Sequence, residues 1–393
     1  MAEPVLPRAF LDAASGPMHP RAAQTLLAAV EAGWADPRRL YTEARAARRL
    51  LDQSREVLAE GLGVRPSEVS FAPDGPGALR LAVEGLLHAN RRRGAGLVAS
   101  AVEHSAVLLP GRDRMARHPA DAPLHEIGVD SLGHLDLEGF AAAVSRPHIA
   151  AAAVQQANGE VGTIQPVDEA WEVARQAGVP MVVDAQASLG RVPPAVGFDV
   201  MAADARSWGG PGGVGVLVLP ERTRWGLAGA TDPDEALTGP TRHTPWVPLA
   251  LAAAEAWQQV AADREQEAAE AFALVEQLRW AAAQLPDVEV VGDPVDRLPH
   301  VVTFSALYAD GEALVRALDR RGIAVASGSA CTSSTLEPSH VLAAMGALTH
   351  GNLRITLPLR AVAPDRATAV QRLVDALPQV VAEVRDELGA RKL

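Results

Sequence analysis

The sequence predicts an α/β fold, in which helices wrap a parallel sheet, followed by a smaller α+β domain. Short apolar runs of strand length alternate with helical patterns from about residue 20 to residue 220, which is typical of such a sheet. An alanine-rich helical stretch from Pro248 to about Gln284 is long enough to link two domains. After Pro286 the order of strands and helices changes. We therefore expect a large domain over residues 15–250 and a small domain over residues 251–393 together with residues 1–14.

In the large domain, cap and turn residues delimit the predicted elements. Proline opens and glycine closes a helix over residues 20–33, and a second, longer helix covers residues 38–61. Apolar runs predict strands at residues 69–71, 96–99, 149–154, 180–183 and 214–219. Helical patterns between them cover residues 79–91, 137–144 and 167–177. The alternation predicts the class of the fold and leaves the order of the strands open.

The small domain is predicted from the same signals. Strands at residues 288–291 and 301–304 precede a helix at residues 310–321 and a loop that contains Cys331. A helix from Ser339, a strand at residues 353–357 and a closing helix from Pro364 follow. This mixture of strands and helices predicts an α+β arrangement.

Charge and composition exclude several classes of function. The formal net charge is −12 and the pI is about 5.4, so phosphates would be repelled and neither a nucleic-acid surface nor an anionic membrane surface is expected. No apolar stretch of about 20 residues and no leader pattern is present, so we expect no membrane span. The single cysteine, Cys331, excludes an intrachain disulfide and favours a cytoplasmic location. No metal site is expected, because histidine, cysteine and carboxylates show no metal-ligand spacing.

The segment around Cys331 carries the strongest local signal. Small residues surround the thiol in Ala-Ser-Gly-Ser-Ala-Cys-Thr-Ser, residues 326–333, and Pro338 then begins a helix. A cysteine on such a loop can reach a substrate as a thiolate and carry sulfur outward. Together with Asn-Leu-Arg at residues 352–354, the segment resembles the cysteine desulfurase family. This is the NifS/IscS-like branch of the class V aminotransferases, which are fold type I pyridoxal-phosphate enzymes, and the resemblance covers residues 10–357.

The resemblance implies an architecture, a cofactor and a set of site residues. Fold type I proteins have a mainly parallel seven-stranded sheet between helices and form homodimers with sites at the interface. The implied cofactor is pyridoxal phosphate and the implied substrate is cysteine, whose sulfur Cys331 takes as a persulfide for an acceptor protein. The resemblance implies Arg354 for the substrate carboxylate, His104 for stacking on the pyridine ring and for shuttling protons, and Asp184 for the pyridine nitrogen. It also implies Asn158 for the ring hydroxyl or the substrate, and Thr244 of the neighbouring subunit for the phosphate. A structural histidine at residue 104 and a surface salt bridge at residue 354 are the alternatives.

The chain departs from the family pattern where the cofactor should be attached. The family's Schiff-base lysine aligns with Ser207, and the histidine before it aligns with Arg206. A serine hydroxyl forms no imine, and arginine stays protonated and is a poor nucleophile. The only lysine in the sequence is Lys392. We therefore expect no lysine aldimine in the body of the chain.

The phosphate-binding turn also departs from the pattern. Pro76 removes a hydroxyl and an amide donor, and Asp74 adds a negative charge. The family's glutamine, three residues after the aspartate, is Ala187 here, with Gln186 offset by one position. Arg206 adds a cation that can contact a phosphate or a carboxylate.

Three functions remain open at this point. The first is a cysteine desulfurase-like protein that handles sulfur through a Cys331 persulfide, from cysteine or a persulfide donor, without ordinary desulfuration. The second is a catalytically inactive binding or scaffold homologue that pairs with an active desulfurase, as a heterodimer, or with a sulfur acceptor. The third is an enzyme in which Asp184, His104 and Arg354 hold pyridoxal phosphate non-covalently. The cofactor is therefore either pyridoxal phosphate bound without a Schiff base or no cofactor at all. The sequence also leaves open whether the protein is an enzyme.

Overall fold

The computed structural model describes residues 7–118, 122–229, 239–327 and 338–389. Within these ranges the chain forms one seven-stranded sheet, one three-stranded sheet and a pair of short strands. In chain order the strands are β1 (Ala9–Phe10), β2 (Val69–Ala72), β3 (Gly94–Ser100), β4 (Leu124–Ile127), β5 (His148–Gln155), β6 (Met181–Asp184), β7 (Val200–Asp204), β8 (Gly215–Val218), β9 (Val288–Val291), β10 (Val301–Ala306), β11 (Ile323–Ala324) and β12 (Asn352–Thr356).

Helices cover both faces of the large sheet and one side of the small one. In chain order they are α1 (Pro20–Glu31), α2 (Thr42–Leu62), α3 (Gly75–Ala89), α4 (Ser105–Arg117), α5 (Leu137–Val144), α6 (Val167–Gln176), α7 (Val247–Ala283), α8 (Gly311–Arg320), α9 (His340–Met345) and α10 (Arg366–Glu387). Side chains cap several of them, as in α5, where Asp136 accepts a hydrogen bond from the backbone N–H of Gly139.

The large sheet has the architecture that the resemblance implies. Its strand order is β2-β8-β7-β6-β5-β3-β4. Every neighbouring pair is parallel except those of β8, which runs antiparallel to both β2 and β7. The prediction of a mainly parallel seven-stranded sheet between helices is therefore confirmed for the described part of the chain, as is a small C-terminal domain on the antiparallel sheet β12-β10-β9.

Two helix boundaries differ from the predictions, and one helix is absent from them, for local reasons. Helix α2 begins at Thr42 rather than at residue 38, because Asp36 holds both the backbone N–H and the guanidinium of Arg38 in a turn. Helix α3 begins at Gly75, four residues earlier than predicted, with Asp74 as its N-cap. Helix α4 is not predicted because Pro110 lies inside it, a position that usually disfavours a helix interior. Strands β4 and β7 are also absent from the prediction.

Helix α7 joins the two hydrophobic cores. Its first half packs on the large domain, where Trp257 meets Trp208 edge to face with ring centroids 5.4 Å apart. Its second half contributes Ala271, Val275 and Leu278 to the core of the small domain. One continuous helix thus fixes the small sheet against the large one.

The carboxyl ends of the central strands meet at one edge of the large sheet, where α/β folds place their ligands. Strands β3, β5, β6 and β7 end there at Ser100, Gln155, Asp184 and Asp204. Strand β12 of the small domain faces this edge, and a parallel bridge between Asp12 and Thr356 places the N-terminal segment beside it. No helix in the described ranges is long and apolar enough to cross a membrane.

Candidate functional site

A cavity of about 380 Å³ lies between the carboxyl edge of the large sheet and strand β12. It brings together most of the residues that the sequence singles out. The predicted site residues that line it are His104, Asn158, Asp184, Arg206, Ser207 and Arg354. Thr244 is not part of its lining, and its buried hydroxyl has no hydrogen-bond partner in the part of the chain that is described.

Cys331 lies outside the described residues, but both flanks of its segment are placed. On one side, Ala326 and Arg354 exchange backbone hydrogen bonds of 3.1 and 2.8 Å. On the other side, Pro338 and Ser339 line the cavity, and Ser339 caps helix α9 through a bond from the N–H of Leu342. One flank thus pairs with the strand that carries Arg354, and the other flank lines the cavity.

Asp184 ends strand β6 on the acidic wall of the cavity. The backbone N–H of Gln186 donates to Oδ1 at 2.9 Å, and the side-chain Nε2 of Gln186 donates to Oδ2 at 3.1 Å. Burial raises the pKa of Asp184, and the nearby His104 opposes this shift. The carboxylate thus lies where the sequence places it, but the Gln186 amide already engages it.

Glu103 is a buried acid that the sequence analysis missed. One oxygen, Oε1, accepts a 2.7 Å hydrogen bond from the N–H of Gln155, whereas no described residue hydrogen-bonds to Oε2. Burial, reinforced by the charge of Asp184, raises the pKa of Glu103 well above its ordinary value. The protonated form is therefore favoured at this position. Glu103 directly precedes the predicted site residue His104, and this position in the sequence is the signal that could have identified it.

His104 is the N-cap of helix α4. Its Nδ1 accepts a 3.0 Å hydrogen bond from the N–H of Ala106, so this nitrogen carries no proton in the observed arrangement. The histidine therefore has the structural role that the sequence offered as an alternative, and it also lines the cavity.

Asn158 folds the loop that follows strand β5. Its Oδ1 accepts from the N–H groups of Glu160 and Val161, and its Nδ2 donates to the carbonyl of Val102 at 3.2 Å. Three of the hydrogen bonds that an amide can make are thus used within the protein, and one N–H of Nδ2 is left for a ligand.

Arg354 forms the basic wall of the cavity from strand β12. The residue is only 7% exposed, and its Nε has no hydrogen-bond partner among the described residues. Its Nη2 lies 3.8 Å from Oδ1 of Asp12, which is an ion-pair distance and too long for a hydrogen bond. A buried guanidinium is suited to a bidentate carboxylate, and its Nε is one donor that the described residues leave unpartnered.

A second buried arginine, Arg191, was missed by the sequence analysis. Its Nε donates to the carbonyl of Ser207 at 2.8 Å, and the residue lines the cavity. Burial lowers the pKa of Arg191 to about 10, so it remains a cation at neutral pH. No signal in its sequence context distinguishes it from a surface arginine.

Ser207 and Arg206 occupy the corner where the family's lysine is expected. The Ser207 hydroxyl lies 2.9 Å from the carbonyl oxygens of both Leu189 and Asp204, which share its single proton. The Arg206 guanidinium binds the carboxylate of Asp204 through two hydrogen bonds. Asp204, a second acid missed by the sequence analysis, also accepts a hydrogen bond from the N–H of Gly75.

Pyridoxal phosphate, the cofactor that the resemblance implies, can be tested against this corner. It needs an amine for its aldehyde and free donors for its phosphate. The described residues include no lysine, and Asp204 already takes the first N–H of helix α3. The residues present here do not fit the phosphate and aldehyde of this cofactor. In the same described part of the chain, no group of three or more His, Cys, Asp or Glu side chains could hold a metal ion.

Comparison with known proteins identifies the family. Residues 9–362 match the family Aminotransferase class-V. The chain belongs to this family. It is 35% identical to an IscS-like cysteine desulfurase of Mycobacterium tuberculosis and 32% identical to a cysteine desulfurase of Cereibacter sphaeroides, each over 96% of this chain and 97% of the relative. The resemblance to cysteine desulfurases is thus confirmed. It supports pyridoxal phosphate by resemblance only, because the corner at Ser207 does not fit the phosphate and aldehyde of this cofactor.

Two solved structures share the fold. A NifS-like protein superposes with a TM-score of 0.82 at 22% identity, covering 94% of this chain and 99% of that one. The apo structure of a cysteine desulfurase from Thermococcus onnurineus gives a TM-score of 0.77 at 22% identity, with coverage of 95% and 94%. These likenesses show that this class-V member has the fold type I architecture.

Proposed function

We propose that the protein transfers sulfane sulfur through a persulfide on Cys331 and that Arg354 holds the carboxylate of the donor. One observation carries the proposal. The buried guanidinium of Arg354 has an Nε donor with no partner among the described residues, and it lines the same cavity as Pro338 and Ser339. The backbone of Arg354 pairs with Ala326, on the other flank of the Cys331 segment. The names of the relatives, cysteine desulfurases, support sulfur as the transferred element.

The reaction balances without an electron sink. The Cys331 thiolate attacks the outer sulfur of a donor persulfide, R–S–SH, and forms a new S–S bond. The S–S bond of the donor breaks, and its electron pair leaves with R–S⁻, which takes up a proton. No oxidant is required, because sulfane sulfur keeps its oxidation state. Release of sulfur from free cysteine differs, since a C–S bond must break with help from an amine and a cofactor.

Glu160 supplies a proton-handling group beside the Arg354 subsite. Burial raises the pKa of Glu160 to about 7, while a hydrogen bond from Ser339 and the charge of Arg354 act in the opposite direction. Its Oε1 has no hydrogen-bond partner in the described ranges. A carboxyl group with this pKa can donate a proton to the leaving thiolate and recover it near neutral pH.

Mass spectrometry of Cys331 tests this proposal. The protein is incubated with cysteine persulfide, or with cysteine alone, and the peptide with Cys331 is examined for one added sulfur. We expect the addition with the persulfide donor only and none in Cys331→Ser. A wild-type protein that gains no sulfur from the donor contradicts the proposal.

A second candidate is the catalytically inactive binding homologue. It is favoured by the corner at Ser207, where the hydroxyl and the guanidinium of Arg206 are both engaged by the protein itself. Its partner is an active desulfurase or a sulfur acceptor, in place of a second copy of this chain. This candidate predicts no persulfide on Cys331, so the same mass measurement separates the two. The non-covalent pyridoxal-phosphate enzyme is disfavoured by the same corner.

A further inference from the structure

We infer that Asp204 takes the place of a bound phosphate at the N-terminus of helix α3, so that the cavity selects ligands that carry no phosphate group. The helix N-terminus in question lies at the corner formed by Asp204, Arg206 and Ser207. Its hydrogen bonds do not depend on the proposed sulfur transfer. It rests on where each hydrogen-bond donor of this corner is directed and on the charges that face it.

The first turn of helix α3 has no N–H left for a ligand. The N–H of Gly75 donates to Oδ2 of Asp204 at 2.9 Å, and Pro76 has none. The N–H of Gly77 donates to Oδ1 of Asp74 at 2.6 Å, and that of Ala78 to the backbone carbonyl of Asp74 at 2.9 Å. A helix N-terminus binds an anion through these groups. Here the carboxylates of Asp204 and Asp74 and the backbone carbonyl of Asp74 already accept from them.

The space next to Gly75 is filled as well. A Cβ atom added to Gly75 would lie 2.4 Å from Oε1 of Gln186 and 2.5 Å from Cβ of Asp204. Asp204 is 3% exposed and Gly75 is buried. A phosphate, which is larger than a methyl group, therefore reaches this N–H only if the Asp204 side chain moves away.

Charge opposes the phosphate too. Asp74 and Asp204 bring two carboxylates to the helix end, and Arg206 brings one guanidinium, which Asp204 engages through Oδ1 and Oδ2 at 2.9 and 3.0 Å. The corner thus keeps a net negative charge, and an incoming dianion would have to compete with Asp204 for Arg206.

The side-chain donors near this helix end also bind acceptors of the protein itself. Nε2 of Gln186 donates to Asp184, and the Ser207 hydroxyl donates toward backbone carbonyls. By contrast, Arg354 keeps an unused donor at another wall of the same cavity. The ligand that matches this distribution is a small molecule with a carboxylate and without a phosphate.

Equilibrium dialysis with pyridoxine and pyridoxine 5′-phosphate tests the inference. These probes differ only in the phosphate and contain no aldehyde that could react with amines. We expect wild-type protein to show no preference for the phosphate ester. Asp204→Ser frees the N–H of Gly75 and releases Arg206, so we expect it to prefer the ester by about tenfold or more, as anion sites at helix N-termini do.

Two further variants keep the test decisive. Asp74→Asn retains the N-cap while removing one charge, and we expect no preference for the ester, because Asp204 still holds Gly75. Asp204→Ala also removes the carboxylate from Gly75 and leaves Arg206 without an anion, so it replaces Asp204→Ser if that variant does not fold, and we expect the same preference. A tenfold preference for the ester in wild-type protein or in Asp74→Asn, or none in a folded Asp204 variant, would overturn the inference.

Discussion

The carboxylate of Asp204 binds the guanidinium of Arg206 through two hydrogen bonds of 2.9 and 3.0 Å, and Arg206 directly precedes Ser207, the residue that aligns with the family's cofactor lysine. The aspartate is nearly fully buried, whereas 46% of the Arg206 side chain is exposed. An ion pair of the protein therefore fills a corner that the family pattern reserves for a ligand.

Replacing Arg206 by glutamine should destabilise the protein, because the buried Asp204 carboxylate then loses its cation. We expect a fall of about 1–2 kcal/mol in the free energy of unfolding, less than for a fully buried pair, since solvent screens the exposed guanidinium. Urea denaturation measures it. The control is Arg175→Gln, which breaks a solvent-exposed pair with Glu172 and should lower the free energy of unfolding less than Arg206→Gln does. Equal losses in the two variants would contradict this role of Arg206.

Replacing Arg354 by glutamine should weaken recognition of a donor that has a carboxylate. We expect KM for cysteine persulfide to rise by about tenfold or more, with kcat little changed, because a bidentate ion pair is lost. An inorganic polysulfide donor has no carboxylate and should show no change in KM. Arg112→Gln is the matched control, since Arg112 also lines the cavity but is paired with Glu126. An equal rise in KM for both donors would contradict the assignment.

Glu160 should make stability depend on pH near neutrality. Its pKa is raised by burial to about 7 in the folded protein, so folding favours the protonated carboxyl. This contribution is complete below the ordinary pKa of a glutamate and is lost as the pH rises through 7. We expect the free energy of unfolding to fall between pH 5 and pH 8 by up to about 3 kcal/mol more in wild-type protein than in Glu160→Gln. Parallel pH profiles of the two proteins would exclude this titration.

The sequence predicted local elements well and long-range pairs poorly. The strand Val288–Val291 and the helix Leu137–Val144 coincide with the prediction, because periodicity and caps are local signals. The role of Asp204 depends on Gly75, which lies 129 residues earlier in the chain, and no local pattern reports such a contact. Glu103 and Arg191 were missed for the same reason, since burial in a shared cavity marks them as site residues.

His104 and Asn158 illustrate a second limit of sequence reasoning. Both line the cavity as the family motif predicts, yet both also hold the fold together, one as a helix cap and the other as a loop anchor. A sequence motif can predict that a residue lies in the cavity. It does not show whether the side chain stabilises the fold, contacts a ligand, or does both. Cytoplasmic location and assembly as a homodimer remain predictions of the sequence.

Sulfur transfer without desulfuration is tested most directly by following two products in one experiment. The protein is incubated with pyridoxal phosphate and cysteine, and in parallel with cysteine persulfide, and both alanine and the persulfide on Cys331 are quantified. We predict that cysteine yields no alanine and no persulfide, whereas the donor loads Cys331. Alanine formed from cysteine in step with a persulfide on Cys331 would contradict the account.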